Sequence, residues 1–328
     1  MMGILFRTFR SFILIAALFV AAVLCFGIWL LNQVPNEATI RGCMTTALYS
    51  VHLCPGSADY VPLNQISPFL RKAVVLSEDS LFWNHHGFDF QEMQKSFEKN
   101  RMAGRFARGG STITQQLAKN MFLTSEKTLE RKLVEAVITV RIERALTKNQ
   151  ILERYLNVVQ FGQDIFGVKQ AASFYFQKTP AKLDVIESAF LAFLLPSPEK
   201  YSVSFYKKQL TPFAYKRLQE IIQRLYQYQR IGAADYGVAA HRLPTFLSKA
   251  KAPAAPAGLD LSAPEYGEGE DQGSWLEPIS QSAERESRHQ DPDHDQDERI
   301  DQEVNAEPAD EQLPDNLNGM GERQDVNH

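Results

Sequence analysis

Twenty consecutive residues, Phe12 to Leu31, carry no charged or strongly polar side chain. As a helix such a run is about 30 Å long, enough to cross the hydrocarbon core of a bilayer. Arg7 and Arg10 precede it, and the positive-inside rule then places the N-terminus in the cytoplasm and the rest of the chain outside. The alternative is a cleaved signal peptide, whose apolar region is about 7–15 residues and ends at small residues. Here Gly27-Ile28-Trp29-Leu30-Leu31 closes the run with bulky groups, so an uncleaved anchor is expected. The expected organisation is a cytoplasmic stub at 1–11, a transmembrane anchor at 12–31, a folded domain at 32–251 and a tail at 252–328.

Charge divides the chain at the same place as pattern does. Residues 1–251 hold 31 Lys and Arg against 18 Asp and Glu, whereas residues 252–328 hold 4 Arg against 21 Asp and Glu. The overall net charge of −4 thus hides a basic body and an acidic tail. The tail begins with Ala-Pro repeats and continues in Asp/Glu/Gln-rich sequence with few aliphatics, a composition that cannot bury enough area to offset chain entropy. It is expected to be disordered. A basic body suits an anionic partner: a membrane surface, a nucleic acid or a phosphorylated substrate. No helix-turn-helix, zinc-finger spacing or RNA-binding signature is present, which sets nucleic acid aside.

The body reads as mainly α. Ile66 to Asp79 carries an apolar stripe of Ile66, Phe69, Leu70, Ala73 and Val74 and delivers Glu78 at its end. Lys127 to Leu146 is a second helix, with Leu129, Leu133, Val137 and Val140 expected to face the core. Thr147 with Gln150, and Asp184 with Glu187, are capping boxes opening helices at Lys148 and before Pro196. Thr211-Pro212 supplies an N-cap and first-turn proline for a helix expected to run to Gly232. Cys25 lies in the apolar span; Cys43 and Cys54 could close a short loop in an oxidising compartment, and the sequence leaves that pairing open.

Residues 109–120, Gly-Gly-Ser-Thr-Ile-Thr-Gln-Gln-Leu-Ala-Lys-Asn, are the most informative for chemistry. Thr112 and Gln115 form a capping box, so a helix starts there. A glycine turn feeding a helix N-terminus is a ready anion site, and Gln115, Gln116 and Lys119 lie on its first turns. No Walker lysine follows. Glu78 and Asp79 precede an aromatic turn, Phe82-Trp83, that would disfavour a charged carboxylate and raise its pKa toward the range of proton transfer. On their own they read first as a solvated pair following a helix. Lys127, Arg131 and Glu135, spaced by four, form one helical stripe. That is either a line of surface salt bridges or a cradle for a pyrophosphate, with or without a divalent ion (Mg2+ or Mn2+) held there. His85-His86 lacks a third ligand spaced for zinc and reads as packing or a turn-fixing hydrogen bond. Phe88, Phe90, Met93 and Phe97, followed by Lys99, Arg101, Arg105 and Arg108, read first as core packing and second as an apolar jaw at the bilayer surface.

Five stretches in order resemble the signatures of the peptidoglycan glycosyltransferases. These are Glu78 through Gly87, Gly109 through Asn120, Arg131 through Glu135, Lys148 through Asn157, and Phe161-Gly162 through Gly167 with Ala171-Ala172 and Tyr175-Phe176. The resemblance covers roughly residues 45–245. One position departs: a second glycine is common two residues after Gly162, and Asp164 stands there. The resemblance implies a lysozyme-like, two-lobed helical domain of the monofunctional, membrane-anchored type. It implies Glu78 as general base and Glu135 as the second carboxylate, with Asp79 orienting the base or its surroundings. Ser111, Gln115, Gln116, Lys119, Lys127 and Arg131 would line the pyrophosphate cradle. The partners implied are lipid II, the growing lipid-linked glycan strand, the inner membrane, and cell-wall synthesis or division proteins. Two other readings remain: a lysozyme or lytic transglycosylase, which needs no pyrophosphate cradle, and a non-enzymatic membrane scaffold working through its tail.

Overall fold

The computed structural model describes residues 2–32, 34–103, 110–126 and 128–262. Lys127, Arg105, Arg108 and residues 263–328 of the expected tail lie outside the described residues. The fold class is mainly α, as expected.

Helix α1 (Met2–Asn32) takes in both the expected stub and the expected span. Its stretch Phe12–Trp29 is long and apolar enough to cross a membrane; none of its residues is fully buried, and Trp29 at its end packs half-buried against the core. Helix α2 (Glu37–Arg41) is capped by Asn36, whose side chain accepts from the Thr39 amide at 2.8 Å. Strands β1 (Met44–Thr45) and β2 (His52–Leu53) pair antiparallel, with Met44 opposite Leu53. A Cys43–Cys54 disulfide closes this hairpin, which answers the question the sequence left open; Cys25 is free.

The body is built from helices α3 (Pro68–Glu78), α4 (Phe90–Ala103), α5 (Ile113–Phe122), α6 (Leu129–Ala145) and α7 (Lys148–Val158). After the bulged hairpin of β3 (Gln160–Gly162) and β4 (Ile165–Phe166) come α8 (Gly167–Phe176) and α9 (Val185–Leu194). Two short helices, α10 (Pro198–Tyr201) and α11 (Val203–Tyr206), lead to α12 (Pro212–Gln227) and α13 (Ala233–Arg242). Helix α9 is buried on every side, as its lack of a polar face requires, and α3, α12 and α13 pack around it. Helix α5 packs on α6 and α7. These two groups set the ends of α3 and α5 beside the flank of α6.

Local signals are realised where they were expected. The capping boxes at Thr112/Gln115, Thr147/Gln150 and Asp184/Glu187 all form, and Thr211 caps α12. Asp164 adopts a left-handed backbone, φ 57°. A glycine adopts that conformation without steric cost, and Asp is among the residues that tolerate it, so the departure at 164 keeps the turn.

Three expectations are corrected. Helix α12 ends at Gln227 rather than Gly232, because Gln229 turns left-handed, φ 54°, and breaks the helix without a glycine. On α6 the residues expected to face the core point outward: Leu129 is 88% exposed, Leu133 51% and Val140 37%, and Val137 is only half-buried. The buried face is instead Val134, Glu135, Ile138, Thr139, Ile142 and Ala145. The helix carries apolar residues on both faces, so its periodicity does not select one. On α4, Phe90 (73% exposed), Met93 (38%) and Phe97 (68%) are likewise not core residues.

Candidate active site

Helix α3 is driven into the core by Leu70, Ala73 and Val74, all fully buried, and that burial fixes the position of its last residue, Glu78. The Asp79 backbone N–H donates to the Val75 carbonyl to end the helix, and the chain turns into a loop closed by Gly87. Gly87 has φ +92°, and a Cβ there would lie 2.8 Å from Thr139 Cγ2 on α6. Only glycine lets this loop lie against α6. The Gly87 carbonyl accepts from the Thr112 hydroxyl at 2.8 Å, which ties the loop to the start of α5.

Asp79 is buried, 6% exposed, and both of its oxygens are engaged. Oδ1 lies 2.8 Å from His85 Nε2, and Oδ2 accepts from the backbone N–H of Ile113 at 2.9 Å. His85 Nδ1 accepts from the Gly87 N–H at 3.2 Å, which puts the ring proton on Nε2, facing Asp79. The anion at the α5 N-terminus is therefore the protein's own carboxylate, not a ligand's. The ligand expected at this terminus from its glycine turn is forestalled by Asp79, which comes round to fill it. His85 fixes the turn, and no group of three or more His, Cys, Asp or Glu that could hold a metal occurs among the described residues.

Glu78 faces a different setting. Its Oε2 accepts from Gln116 Nε2 at 2.8 Å, and Gln116 Oε1 accepts from the Tyr155 hydroxyl at 3.0 Å. Burial pushes the Glu78 carboxyl up to about 7; the Asp79 charge also raises it, while the Gln116 hydrogen bond and the Lys119 charge pull it down. The raised pKa expected from the sequence is present, with burial as its main cause. A carboxyl at such a value can accept a proton near neutral pH and release it again.

The second carboxylate sits in a positive cluster. Glu135, 2% exposed, is paired with Arg131 Nη1 at 3.2 Å and with Lys132 Nζ. Lys132 also donates to Ser111 Oγ at 3.3 Å, which joins the turn before α5 to α6. Lys119 lies between the two carboxylates electrostatically. Burial lowers its pKa, Arg131 and Lys132 lower it further, and Glu135 and Glu78 raise it. Among the described residues it makes no ion pair.

Of the residues singled out in the sequence, Glu78, Asp79, Ser111, Gln116, Lys119, Arg131 and Glu135 are brought to this one region. Gln115 is turned inward, 3% exposed, and its Oε1 is taken by the Thr112 amide in the capping box. Lys127 lies outside the described residues. Two members were missed. Lys132 stands three residues before Glu135, a spacing that shares its helix face and could have flagged it. Tyr155 is 39 residues from Gln116 in the chain, and no local signal points to it.

Behind the site, Thr114 and Lys148 both bond Glu143 Oε1, at 2.6 and 2.9 Å, joining α5, α6 and α7. Lys148 also lies 4.5 Å above the Phe82 ring.

Comparison with known proteins places these features in a context. Residues 48–226 match the family described as Transglycosylase. The biosynthetic peptidoglycan transglycosylase of Nitrosospira multiformis is 37% identical over 224 residues, 66% of this chain and 96% of the relative. Proteins of the same name from Chromobacterium violaceum and Alcanivorax borkumensis are 40% and 42% identical, over 57% and 59% of this chain and 86% and 80% of theirs.

Proposed function

The chain belongs to the transglycosylase family and is a peptidoglycan glycosyltransferase, and from that premise we propose that the Glu78–Glu135 site polymerises lipid II into β-1,4-linked glycan strands. One observation carries the reading: the two carboxylates have opposite environments. Glu78 is held by a neutral amide with its pKa raised to about 7, whereas Glu135 is surrounded by cations. Two titratable groups driven apart in this way are suited to different roles.

Glu78 takes the proton from the 4-hydroxyl of the acceptor sugar as that oxygen attacks the anomeric carbon of the lipid-linked donor. The bond to pyrophosphate breaks, undecaprenyl pyrophosphate leaves, and an α-linked donor becomes a β-linked product with inversion. Negative charge grows on the leaving group. Lys119, Arg131 and Lys132 are placed to stabilise it, and Ser111 helps to hold Lys132. Fixed charges of this kind act without reorganising during reaction. Arg131 keeps a buried Nε–H that has no hydrogen-bond partner among the described residues, a donor for an anion to satisfy. Glu135 keeps the cations in place before substrate arrives.

The donor set suits an anion better than a divalent ion. Both Glu135 oxygens are taken by Arg131 and Lys132, and Glu78 stands beside an amide. Mg2+ or Mn2+ would need those pairs broken, and no step here passes through a metal. A glycan-cleaving enzyme has no use for three cations beside its second carboxylate, and a scaffold has none for a carboxyl poised near 7.

The same reading sets the chain in the inner membrane through α1, with the N-terminus cytoplasmic and the body periplasmic, where the Cys43–Cys54 bridge also persists. The exposed Phe90, Met93 and Phe97 of α4 would then dip into the bilayer surface, near the lipid-linked substrate. Incubating the detergent-solubilised full-length protein with labelled lipid II tests the reaction: polymer is expected, and its absence in a folded protein overturns it. External protease on spheroplasts should digest the body if the orientation is right.

A further inference from the structure

A glutamine amide has two ends of opposite character: an NH2 that stabilises a carboxylate and a carbonyl that repels it. Gln116 presents its NH2 to Glu78, Nε2 to Oε2 at 2.8 Å. What fixes that choice lies on the other side of the amide. The Tyr155 hydroxyl, carried in from α7, donates to Gln116 Oε1 at 3.0 Å. Tyr155 is fully buried, and a buried phenol needs a partner for its O–H. Burial and the nearby Glu78 and Asp79 charges raise the phenol's own pKa well above its usual value, so it stays a donor throughout the working range. With the amide reversed, the Tyr155 proton would meet an NH2 and the charged Glu78 would meet a carbonyl.

We propose that Tyr155 is a positioning residue for the polymerisation: by donating to Gln116 Oε1 it locks the amide so that its NH2 holds Glu78 ionised and ready to accept the sugar's proton. The chain of contacts runs from α7 through α5 to the end of α3, and it rests on the reading of Glu78 as the base. Tyr155 touches neither substrate nor the reacting atoms. Its ring belongs to the core with Leu152 and Leu156, and a phenylalanine would fill that space. The hydroxyl alone is the device.

The pH dependence isolates it. The groups that act on Glu78 are Asp79 at its own helix end, Gln116 and Lys119 from α5, and Tyr155 from α7. On the α6 side Arg131, Lys132 and Glu135 act on Lys119. Tyr155→Phe leaves all the charges in place and frees only the amide. When the carbonyl faces Glu78, the protonated acid is favoured, so the acid limb of the rate profile moves to higher pH.

The test is the pH profile of kcat and KM for labelled lipid II with the full-length protein in detergent. Tyr155→Phe should lower kcat at pH 7 by about two- to fivefold, the loss of ionised Glu78 that a rise of about half to one pH unit from about 7 produces. Its acid limb should rise by about half to one pH unit, with KM changed by no more than about twofold. In a Gln116→Ala background Tyr155→Phe should add nothing, because a residue acting through Gln116 has no further route. An unmoved acid limb overturns the proposal, as does an equal further loss in the Gln116→Ala background, which would mark a packing role. Should Tyr155→Phe not fold, Gln116→Leu must reproduce the limb shift, and failure to do so also overturns it. Glu78→Gln serves as the control. If it is active, the base reading falls. If it is inactive while Tyr155→Phe behaves as wild type, only the present proposal falls.

Discussion

Asp79 Oδ2 accepts the backbone N–H of Ile113 at 2.9 Å, so one residue serves two helices: its backbone N–H ends α3 on the Val75 carbonyl, and its carboxylate caps the start of α5. A negative charge at a helix N-terminus stabilises that helix, and here it also sits one residue from Glu78 and raises its pKa. Asp79→Asn should therefore move two readouts in opposite senses. Folding stability should fall by about 1–2 kcal/mol through loss of the charged cap, measured by chemical or thermal unfolding. The acid limb of lipid II polymerisation should move to lower pH, because a charge that disfavours ionised Glu78 has gone. A limb that rises instead would mean that Asp79 acts on Glu78 mainly through geometry.

The cation cluster should separate binding from turnover less cleanly than the base does. A cation facing a pyrophosphate acts before the transition state as well as in it. Arg131→Ala should weaken lipid II binding and lower kcat together, by about tenfold or more in kcat/KM, since hydrogen bonds to charged groups are worth about 1.5–3 kcal/mol. Arg131→Lys should recover only part, because a point charge does not replace a fork of donors. Unchanged kcat/KM in Arg131→Ala would remove that residue from the site.

Lys119 gives this cluster a pH signature. Its pKa is lowered by burial and by Arg131 and Lys132, and raised by Glu135 and Glu78. It carries its charge below that lowered value and loses it as pH rises through it. Lipid II affinity should therefore fall on the alkaline side earlier than an ordinary lysine would allow. Glu135→Gln removes a charge that supports protonated Lys119, so the fall should begin at still lower pH and turnover should drop. Binding measurements between pH 7 and pH 10 check this; an alkaline limb that does not move in Glu135→Gln contradicts it.

What was legible in the sequence was local. Thr112 with Gln115, Thr147 with Gln150 and Asp184 with Glu187 each enclose a single helical turn, and a pattern of that reach is decided by the residues themselves. Glu78, Arg131 and Glu135 stand out in the sequence by motif order and helical spacing, and the fold brings them into one region. What was not legible depends on distant segments. The α5 N-terminus looked open because its occupant, Asp79, lies 34 residues earlier in the chain. The outward face of α6, with Leu129, Leu133 and Val140, looked like core because an apolar stripe does not say what covers it. Tyr155 had no signature, since its role exists only once α7 lies against α5.

The hairpin loop supplies a prediction about stability that also reaches the site. The Cys43–Cys54 bridge holds a loop whose Ala47 N–H donates to the Met121 carbonyl at 2.9 Å and whose Leu48 N–H reaches Asn120 at 3.4 Å. These carbonyls are among the last of α5 and otherwise have no partner within the helix. Replacing both cysteines by serine should cost about 3 kcal/mol for a loop of this length, seen as a lower unfolding midpoint that reductant does not lower further. Activity at moderate temperature should fall as well, since α5 carries Gln116 and Lys119. A double variant with wild-type stability and rate would show that the loop keeps its place without the bridge.

The most direct measurement is the turnover of lipid II by Glu78→Gln beside its binding of the same lipid. Glutamine keeps the shape of the side chain and can still bond Gln116, but it cannot take a proton. Polymerisation should fall by at least about a hundredfold, the lower end of what a positioned base contributes, while lipid II binding stays close to that of the wild type. A Glu78→Gln protein that polymerises lipid II at the wild-type rate would contradict the assignment of Glu78 as the base.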